Sequence, residues 1–397
     1  MTVKAVCLIF FVFRLLKPIQ CDCKESYLVF CDCVSDLKNY KTANWTEVAI
    51  DSKSSCSSSS VSGYNFDCFD EIKLLFILNH VDNIKKGTFK TIGQTLKYLK
   101  FYGNNLHNIK ISTFSGFRKL SYLTLINNNI ESIESFAFKD STIKNLDLSR
   151  NCLEVIPENA FQDCEITKIT IRNNKLSLIH EKAFNKHVEV LHFDYNNIEN
   201  IQSGFVSGLS RLKELTLSHN KLAHISGIMS LENVNKLDFS FNCINFIEME
   251  EFEELKELTH LDLSGNKLEQ FPLRYFKKIK AERMTILLSY NLLTNIKIRD
   301  NVKPMTLTLY GNPWNCKCWQ NVATHLIEDK FTTTKCDLEL FKAGHVPVCI
   351  DQGECRSEPV QDRSTLRRFV KILREQMGQL GCDLFGQVGA KYVVSFI

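Results

Sequence analysis

Eleven asparagines recur along this chain of 397 residues at nearly equal spacing, each closing a stretch with the same apolar pattern. They are Asn79, Asn104, Asn128, Asn151, Asn174, Asn196, Asn220, Asn242, Asn266, Asn291 and Asn312. Aligned as L-x-x-L-x-L-x-x-N-x-L, the clearest units begin at Leu96, Leu120, Ile143, Ile166, Val188, Leu212, Val234 and Leu258. Ten steps cover the 233 residues from Asn79 to Asn312, about 23 residues per unit. Such regularity predicts a stack of similar coils.

The L-x-L segment of each unit predicts a short β-strand. Leu123 and Leu125 lie two residues apart, so both side chains point to the inner face and the intervening positions look outward. Each asparagine falls where the chain leaves its strand, and we expect its amide to bond the backbone of the neighbouring coil. These features resemble leucine-rich repeats. The resemblance implies an α/β solenoid, a horseshoe of about 11 coils with a concave parallel β-sheet and disulfide-bonded N- and C-terminal caps.

A second periodic series consists of phenylalanines that follow most of the asparagines by ten residues. Its members are Phe89, Phe114, Phe138, Phe161, Phe184, Phe205, Phe252 and Phe276. We expect their rings to stack as a spine beneath the convex side. The unit after Asn220 has no phenylalanine here and offers Ile228 and Met229 instead, which predicts an irregular convex loop.

The end coils of a solenoid need covering, and thirteen of the sixteen cysteines lie at the two ends of the repeats. The chain starts with a charge and an apolar run, Lys4 to Phe13, which is typical of a secretory signal and would remove Cys7. Fifteen cysteines then remain, so at least one is free or intermolecular. Cys164 fills an inward position and should be a buried hydrophobe. Three cysteines are candidates for interchain bonds, each with an unreacted thiol or a local pair as the alternative: Cys152 and Cys243, expected to be exposed, and Cys382 in the tail.

The sequence NPWNCKCW, from Asn312 to Trp319, resembles the cysteine-rich C-terminal cap of extracellular leucine-rich-repeat proteins. The resemblance implies pairing of Cys316 with Cys336, and of Cys318 with either Cys349 or Cys355. Pairing in the N-terminal cap stays open among Cys21, Cys23, Cys31, Cys33, Cys56 and Cys68. The expected domains are a signal peptide (1–20), a cysteine-rich N-terminal cap (21–70), leucine-rich repeats (71–311), a cysteine-rich C-terminal cap (312–357) and an amphipathic helical tail (358–397).

A narrower resemblance is to the leucine-rich immune proteins of mosquitoes, carried by the repeats, the cap, the odd cysteine count and the segment STLRRFVKILREQMGQL from Ser364. It implies a haemolymph protein that forms disulfide-linked complexes and binds complement-like thioester proteins. The apolar stripe of that segment covers about two heptads, fewer than a coiled coil needs. A helix packed on the cap is the alternative.

Charge and motifs limit the partners. Lysine and arginine exceed aspartate and glutamate by four, without a basic run, so we expect no nucleic acid partner. No second apolar stretch is long enough to span a membrane, and Asn44 begins a glycosylation site ahead of the repeats. The sequence therefore predicts a secreted glycoprotein that holds no cofactor and binds another secreted protein, with a disulfide-linked homo- or heterodimer as one form.

The concave sheet is the natural binding surface, because its outward positions carry aromatic, basic and histidine side chains of the kind found in protein-binding hot spots. The candidates are Tyr98, Tyr102, Tyr122, Arg150, Arg172, His192, Asp194, Tyr195, His219, Lys236, Phe241, His260 and Tyr310. Tyr195 and Phe241 are expected to project with little cover. A solvated sheet that keeps β-favouring aromatics is the competing interpretation.

Catalysis is not expected. Asp238 and Asp262 occupy equivalent positions in adjacent strands, about 5 Å apart, where one carboxyl could hold a raised pKa, but an open face lacks a closed pocket. His192, His219 and His260 are too scattered to ligate a metal. The sequence favours an innate-immune recognition or complex-forming factor. An extracellular matrix, cell-adhesion or shed receptor-type binding protein and a noncatalytic subunit of a secreted enzyme complex are the alternatives.

Overall fold

The computed structural model describes residues 72–296, with gaps at 253, 272, 277–278 and 283, and shorter segments on either side. Those segments are 28–31, 47–51, 60–61, 66, 305–309, 311–315, 317–318, 331–332, 349–351, 355 and 364. Each coil has a short strand on one side and turns on the other, and this arrangement repeats from coil to coil.

One parallel sheet runs the length of the described chain, with its strands ordered as they occur in the sequence. Its fourteen strands are β1 (Leu28–Cys31), β2 (Glu47–Asp51), β3 (Leu74–Leu78), β4 (Tyr98–Tyr102), β5 (Leu120–Thr124), β6 (Thr142–Asp147), β7 (Glu165–Thr170), β8 (Val190–His192), β9 (Glu214–Thr216), β10 (Lys236–Asp238), β11 (His260–Asp262), β12 (Met284–Leu287), β13 (Met305–Thr308) and β14 (Phe331–Thr332). The predicted solenoid with a concave parallel sheet is confirmed.

Each of the eleven repeat asparagines follows one strand of the set β3 to β13, as the spacing predicted. Leu123 and Leu125 are fully buried, and Thr124 between them is partly exposed. The sheet also takes in β1 and β2, which pair in parallel ahead of β3 inside the segment assigned to the N-terminal cap. The domain boundaries themselves stay a prediction.

The opposite side of the solenoid is made of turns and very short elements. Strands of two residues pair between neighbouring coils: Asn108–Ile109 with Ser132–Ile133, Ser60–Val61 with Asn83–Ile84, and Val155–Ile156 with Leu178–Ile179. Beyond the repeats, Trp314–Asn315 pairs with the three-residue strand Cys349–Asp351. Between residues 72 and 296 the described helical turns are the α-helix Ser203–Ser207 and the 3₁₀-helices Ile92–Gln94, Ile228–Ser230, Met249–Phe252 and Leu273–Phe276. After Asn220, where the sequence predicts an irregular loop, the chain instead forms a 3₁₀-turn. This turn buries Ile228 at the place that a phenylalanine ring takes in other coils.

The phenylalanine series forms the predicted spine from Phe66 to Phe205 and again from Phe252 to Phe276, with Ile228 in place of a ring between the two runs. Phe114 and Phe138 have ring centroids 5.7 Å apart, and Phe161 and Phe184 5.2 Å apart, with nearly parallel planes. Phe66 extends the spine by one ring before Phe89. Rings at this spacing contribute to stability beyond the apolar area they bury, so the spine ties each coil to the next.

The asparagines form a second ladder, which satisfies the polar backbone inside the turns. The Asn104 amide donates to the carbonyl of Ile77 in the preceding coil at 3.0 Å, and its oxygen accepts from the Val81 N–H at 3.1 Å. Asn242 repeats the arrangement with Leu217 and Leu222. The predicted side-chain to backbone bonds are confirmed, and each of the ten repeat asparagines from Asn104 to Asn312 bonds the coil that precedes it.

Candidate functional site

The register of the sheet arranges the outward side chains of the concave face in straight columns. Tyr98 pairs with Tyr122, and Lys100 with Thr124. The first column contains Leu74, Tyr98, Tyr122, Asn145, Lys168, Val190, Glu214, Lys236, His260, Thr285 and Thr306. The second contains Phe76, Lys100, Thr124, Asp147, Thr170, His192, Thr216, Asp238, Asp262, Leu287 and Thr308. Neighbours within a column belong to adjacent coils, about 5 Å apart.

Three tyrosines near the N-terminal end of the sheet form an exposed group, here called the tyrosine patch: Tyr98, Tyr102 and Tyr122. Their side chains are 42%, 43% and 47% exposed, respectively. The rings of Tyr98 and Tyr122 stack with centroids 5.4 Å apart and planes 8° from parallel, and the Lys100 ammonium lies 5.1 Å from the Tyr102 ring centroid. These contacts hold the rings in place and leave their edges and hydroxyls toward solvent.

Several cations surround the tyrosine patch without a carboxylate partner. Lys97 and Lys144 lie at the start of their strands, and Lys168 follows in the first column; Arg150 stands just before Asn151. Each is partly or fully exposed, and none has a carboxylate within 4.0 Å among the described residues. Their charges are therefore available to a partner.

The central coils are different, because their charged groups bond to each other. Asp194 is 4% exposed, and its carboxylate forms an ion pair with Arg172, with 2.6 Å between Oδ2 and Nε. It also accepts bonds from the Thr216 hydroxyl at 2.8 Å and from both the N–H and the hydroxyl of Ser218 at 3.0 Å. The expectation that Asp194 is presented for binding is wrong, because these donors enclose its carboxylate.

Glu214 joins the next group of central charges. Its carboxylate lies 2.8 Å from the Lys236 ammonium and 3.2 Å from His192 Nε2. Although partial burial opposes the shift, the Lys236 contact lowers the pKa of Glu214. Burial, and after it the nearby Arg172 charge, lowers the pKa of His192, so its ring is neutral at pH 7. His192, another of the predicted concave binding residues, is only 6% exposed and is therefore buried by its neighbours, like Asp194.

The residue before the repeat asparagine adopts a left-handed backbone in ten coils, which the sequence reasoning did not foresee. The positions, with φ between 52° and 70°, are Gly103, Asn127, Arg150, Asn173, Tyr195, His219, Phe241, Gly265, Tyr290 and Gly311. Glycine and asparagine tolerate this conformation best. A signal was present in the sequence, because half of these positions carry one or the other.

In the left-handed positions the aromatic side chains lie along the sheet toward the next coil. Tyr195, His219 and Phe241 stack in series with centroids 4.1 and 4.5 Å apart. Phe241 ends the series on Gly265, where an added Cβ would come within 2.6 Å of its ring. Tyr195 is 44% exposed, as expected, but Phe241 is only 5% exposed. The prediction for Phe241 is wrong, because the missing side chain at Gly265 lets the ring lie flat.

Two carboxyl groups lie side by side in the second column, as predicted. Asp238 pairs in register with Asp262. Burial, and after it the charge of Asp238, raises the pKa of Asp262 to about 7. Burial also raises the pKa of Asp238. Each accepts a backbone N–H two residues on, from Ser240 and Ser264 respectively, at 2.9 Å. No group of three or more His, Cys, Asp or Glu in the described part of the chain is arranged to hold a metal ion.

The remaining concave candidates take intermediate positions. His219 and His260 are half-buried, and burial lowers the pKa of both rings. The Lys236 ammonium forms an ion pair with the Glu214 carboxylate. Tyr310 lies outside the described residues.

The described part of the chain contains one defined disulfide and three free thiols, at Cys152, Cys164 and Cys243. Cys318 bonds Cys355, which decides between the two partners that the cap resemblance had left open. Burial raises the pKa of the Cys164 thiol to about 12, in keeping with the expected buried hydrophobe. Cys243 is exposed and Cys152 partly so. The pairings proposed for Cys316 with Cys336, those of the N-terminal cap, the thiol of Cys382 and the glycosylation site at Asn44 fall outside the described residues.

Comparisons with known proteins agree with this architecture. The profile of the BspA type leucine-rich-repeat region, in six copies, matches residues 59–191 and 107–229, and a leucine-rich-repeat profile matches residues 224–268. The chain is a leucine-rich-repeat protein. No curated protein matches it by sequence.

Solved structures share the fold at low identity. The Toll chain of the Drosophila Toll–Spätzle complex is 16% identical over 83% of this chain, with a TM-score of 0.55. The leucine-rich-repeat domain of APL1B is 17% identical over 84% of this chain and 92% of its own length, with a TM-score of 0.54. TLR13 from a complex with ssRNA13 is 16% identical over 72% of this chain, with a TM-score of 0.49. The chain spans about half the length of the TLR13 and Toll chains, 50% and 55%.

Proposed function

We propose that this chain is a secreted protein-binding factor of innate-immune recognition or complex formation, and that it binds through its concave sheet. The observation that carries the proposal is the tyrosine patch, three half-exposed rings in fixed register on a rigid surface. Large, rigid aromatic side chains supply contact area at low entropic cost, and tyrosine is enriched at binding hot spots.

The surface is well ordered before any partner arrives. Tyr98 and Tyr122 restrain each other by stacking, and the strands beneath them are held by fully or almost fully buried residues such as Leu99 and Leu123. A preorganised face loses little conformational freedom on binding, so more of the contact energy appears as affinity. A solvated sheet without a partner has no need for such restraint.

The extracellular setting rests on separate support. The Cys318–Cys355 disulfide favours an oxidising compartment. No helix in the described ranges is long and apolar enough to cross a membrane. The signal peptide, the two cysteine-rich caps, the helical tail and interchain bonding through Cys152, Cys243 or Cys382 belong to the same proposal.

The immune setting is supported by likeness of fold. APL1B matches along almost its whole repeat domain, and the Toll–Spätzle complex is described as a molecular hub in Drosophila development and innate immunity. By analogy, the proposed partner is another extracellular protein, held on the concave side.

The test is affinity capture from the body fluid of the source animal with the secreted protein as bait, comparing two variants. Tyr98→Ala combined with Tyr122→Ala removes the stacked pair of the tyrosine patch. Phe246→Ala removes an aromatic ring that is 60% exposed beyond the strand ends and serves as the matched control. We expect the partner to be lost only from the double tyrosine variant. Equal recovery with both variants would move the binding surface away from the tyrosine patch.

A further inference from the structure

The concave face is divided into two electrostatic regions of equal size, which bears on the chemistry of the partner. The comparison uses the first column, the second column and the leading column, defined as the residue just before the first column in each coil. The leading column contains Lys97, Ser121, Lys144, Thr167, Glu189, Lys213, Asn235 and Thr259. Four coils, β4 to β7, form the N-terminal region, and the next four, β8 to β11, form the central region.

The charge content of the two regions has opposite sign. In the N-terminal region the three columns carry four lysines and one carboxylate: Lys97, Lys100, Lys144, Lys168 and Asp147. In the central region they carry two lysines and four carboxylates: Lys213, Lys236, Glu189, Glu214, Asp238 and Asp262. The tyrosine patch lies in the basic region.

The two regions also differ in how their lysines are used. Lys213 and Lys236 each pair with a carboxylate of the preceding coil, Glu189 and Glu214, at 2.8 Å. No carboxylate in the described part of the chain pairs with Lys97, Lys144 or Lys168. Unpaired cations around exposed aromatic rings attract a partner of opposite charge and orient it on approach.

Resting on the proposed function, we propose that the N-terminal region binds an extended acidic polypeptide segment of the partner protein. Carboxylates of the segment pair with Lys97, Lys144 and Lys168, while its backbone and apolar groups lie against the tyrosine patch. Lys97 and Lys144 are two coils apart, about 10 Å, which is the reach of three residues of an extended chain. The segment is therefore expected to carry an acidic residue at about every third position.

The ring geometry favours a polypeptide over single-stranded nucleic acid. Bases bind aromatic side chains by stacking on an open ring face. Here Tyr98 and Tyr122 cover each other's inner faces, Leu74 and Asn145 flank the pair in the same column, and Lys100 sits over Tyr102. Edges and hydroxyls remain, and these suit peptide groups and apolar side chains.

The experiment measures binding of the full chain to labelled peptides by fluorescence anisotropy. The probe is a peptide of about 15 residues, long enough to cross four strands, with glutamate at every third position and tyrosine and serine between. A peptide with glutamine in place of glutamate is its neutral match. We expect the acidic peptide to bind at least about tenfold more tightly than the neutral one and to weaken as salt is raised.

The decisive variant combines Lys97→Gln, Lys144→Gln and Lys168→Gln, and it should weaken the acidic peptide about tenfold. Its control combines Lys90→Gln, Lys110→Gln and Lys175→Gln, which removes the same charge from exposed positions outside the concave columns. The control should bind within about twofold of the parent chain. Circular dichroism and the thermal midpoint establish that both triple variants are folded.

Three results would overturn the inference: equal weakening by both triple variants, equal binding of the neutral peptide, or tighter binding of a heparin oligosaccharide or a single-stranded RNA of similar length. The last result would assign the region to another polyanion. If the lysine triple variant still captures the natural partner while Tyr98→Ala with Tyr122→Ala does not, the acidic segment is excluded and the proposed function stands. If neither set affects capture, the proposed function fails with it.

Discussion

The N-terminal and central regions of the concave face have the same backbone and equivalent positions, yet they present their side chains differently. In the first, Tyr98 and Tyr122 are half-exposed, and no carboxylate in the described part of the chain pairs with Lys97. In the second, Asp194 is enclosed by donors and Glu214 bridges two neighbours. The position of a residue in the repeat determines where its Cα lies on the sheet. The side chains of the neighbouring coil determine whether its own side chain is exposed and unpaired. Substitutions should therefore affect stability in the central region and binding in the N-terminal region.

The largest effect on stability is expected for Asp194→Ala. The change leaves the donors of Thr216 and Ser218 buried without their acceptor, and removes the partner of Arg172. We expect a loss of about 3 kcal/mol in the free energy of unfolding, measured by urea denaturation. Asp147→Ala in the N-terminal region removes an acceptor of the Ser149 N–H and should cost less than about 1 kcal/mol. Equal losses would mean that the two regions are equally interlocked.

A smaller effect is expected from a single methyl group at the left-handed position. Gly265 and Gly103 share a φ of 67°, so alanine is strained equally at both. At Gly265 the new Cβ would also lie 2.6 Å from the Phe241 ring, whereas at Gly103 its nearest neighbour is the Asn79 side chain at 3.2 Å.

We expect Gly265→Ala to destabilise the chain by about 2–3 kcal/mol and Gly103→Ala by about 1 kcal/mol. Urea denaturation measures both, and a shift of the Phe241 ring signals in NMR spectra would accompany only the first. If the two substitutions cost the same, the close packing of Phe241 on Gly265 would be disproved.

These outcomes bear on what the sequence could predict. Its period located the strands, the inward leucines such as Leu123, the phenylalanine spine and the asparagine bonds, because each depends on spacing along one chain. Exposure on the concave face depends on pairs of residues in different coils. Phe241 is covered because Gly265 follows it one coil later, and Asp194 because Thr216 and Ser218 do.

The sequence contains the information needed to predict this exposure, but it lies in the comparison of equivalent positions in successive units. The repeat alignment gives the position of Phe241 within its own unit, but the exposure of its ring depends on Gly265, at the same position of the next unit. The availability of a lysine likewise depends on the adjacent coils: Lys236 lies beside Glu214, whereas Lys97 has no carboxylate within 4.0 Å in the described ranges. The choice between Cys349 and Cys355 needed the arrangement of the chain beyond the repeats, which no repeat spacing specifies.

The acidic pair of the central region predicts a dependence on pH. The raised pKa of Asp262, about 7 against an ordinary 3.8, means that the folded chain keeps a proton that the unfolded chain has already released between these values. Stability should therefore decrease as the pH rises through this window. Asp262→Asn removes the charge and keeps an oxygen that can accept from the Ser264 N–H. The variant should match the parent near pH 4 and gain on the order of 2 kcal/mol relative to it near pH 8.

The measurement is the urea midpoint of parent and variant at several pH values. Asp147→Asn in the N-terminal region is the control, because threonines flank Asp147 on both sides and no neighbouring carboxylate is relieved. A difference between Asp262→Asn and the parent that stays constant from pH 4 to pH 8 would argue against a shared proton in the pair.

The smallest stability effect is expected for the tyrosine patch. Tyr98→Ala and Tyr122→Ala each remove an exposed, stacked ring, and each should cost less than about 1 kcal/mol. A double-mutant cycle should give a coupling of about 0.5–1 kcal/mol from the stacking. A cost of several kcal/mol for either single variant would show that the patch supports the fold, and would weaken its assignment as a binding surface.

The asparagine ladder has a direction, and this matters for how the molecule is made. Asn104 bonds back to Ile77 and Asn312 back to Leu288, so each coil is completed by the amide of its successor. During synthesis on the ribosome the newest coil must wait for about 23 further residues before its buried polar groups are satisfied. While the repeats are being synthesised, the nascent protein therefore always ends in one unfinished layer.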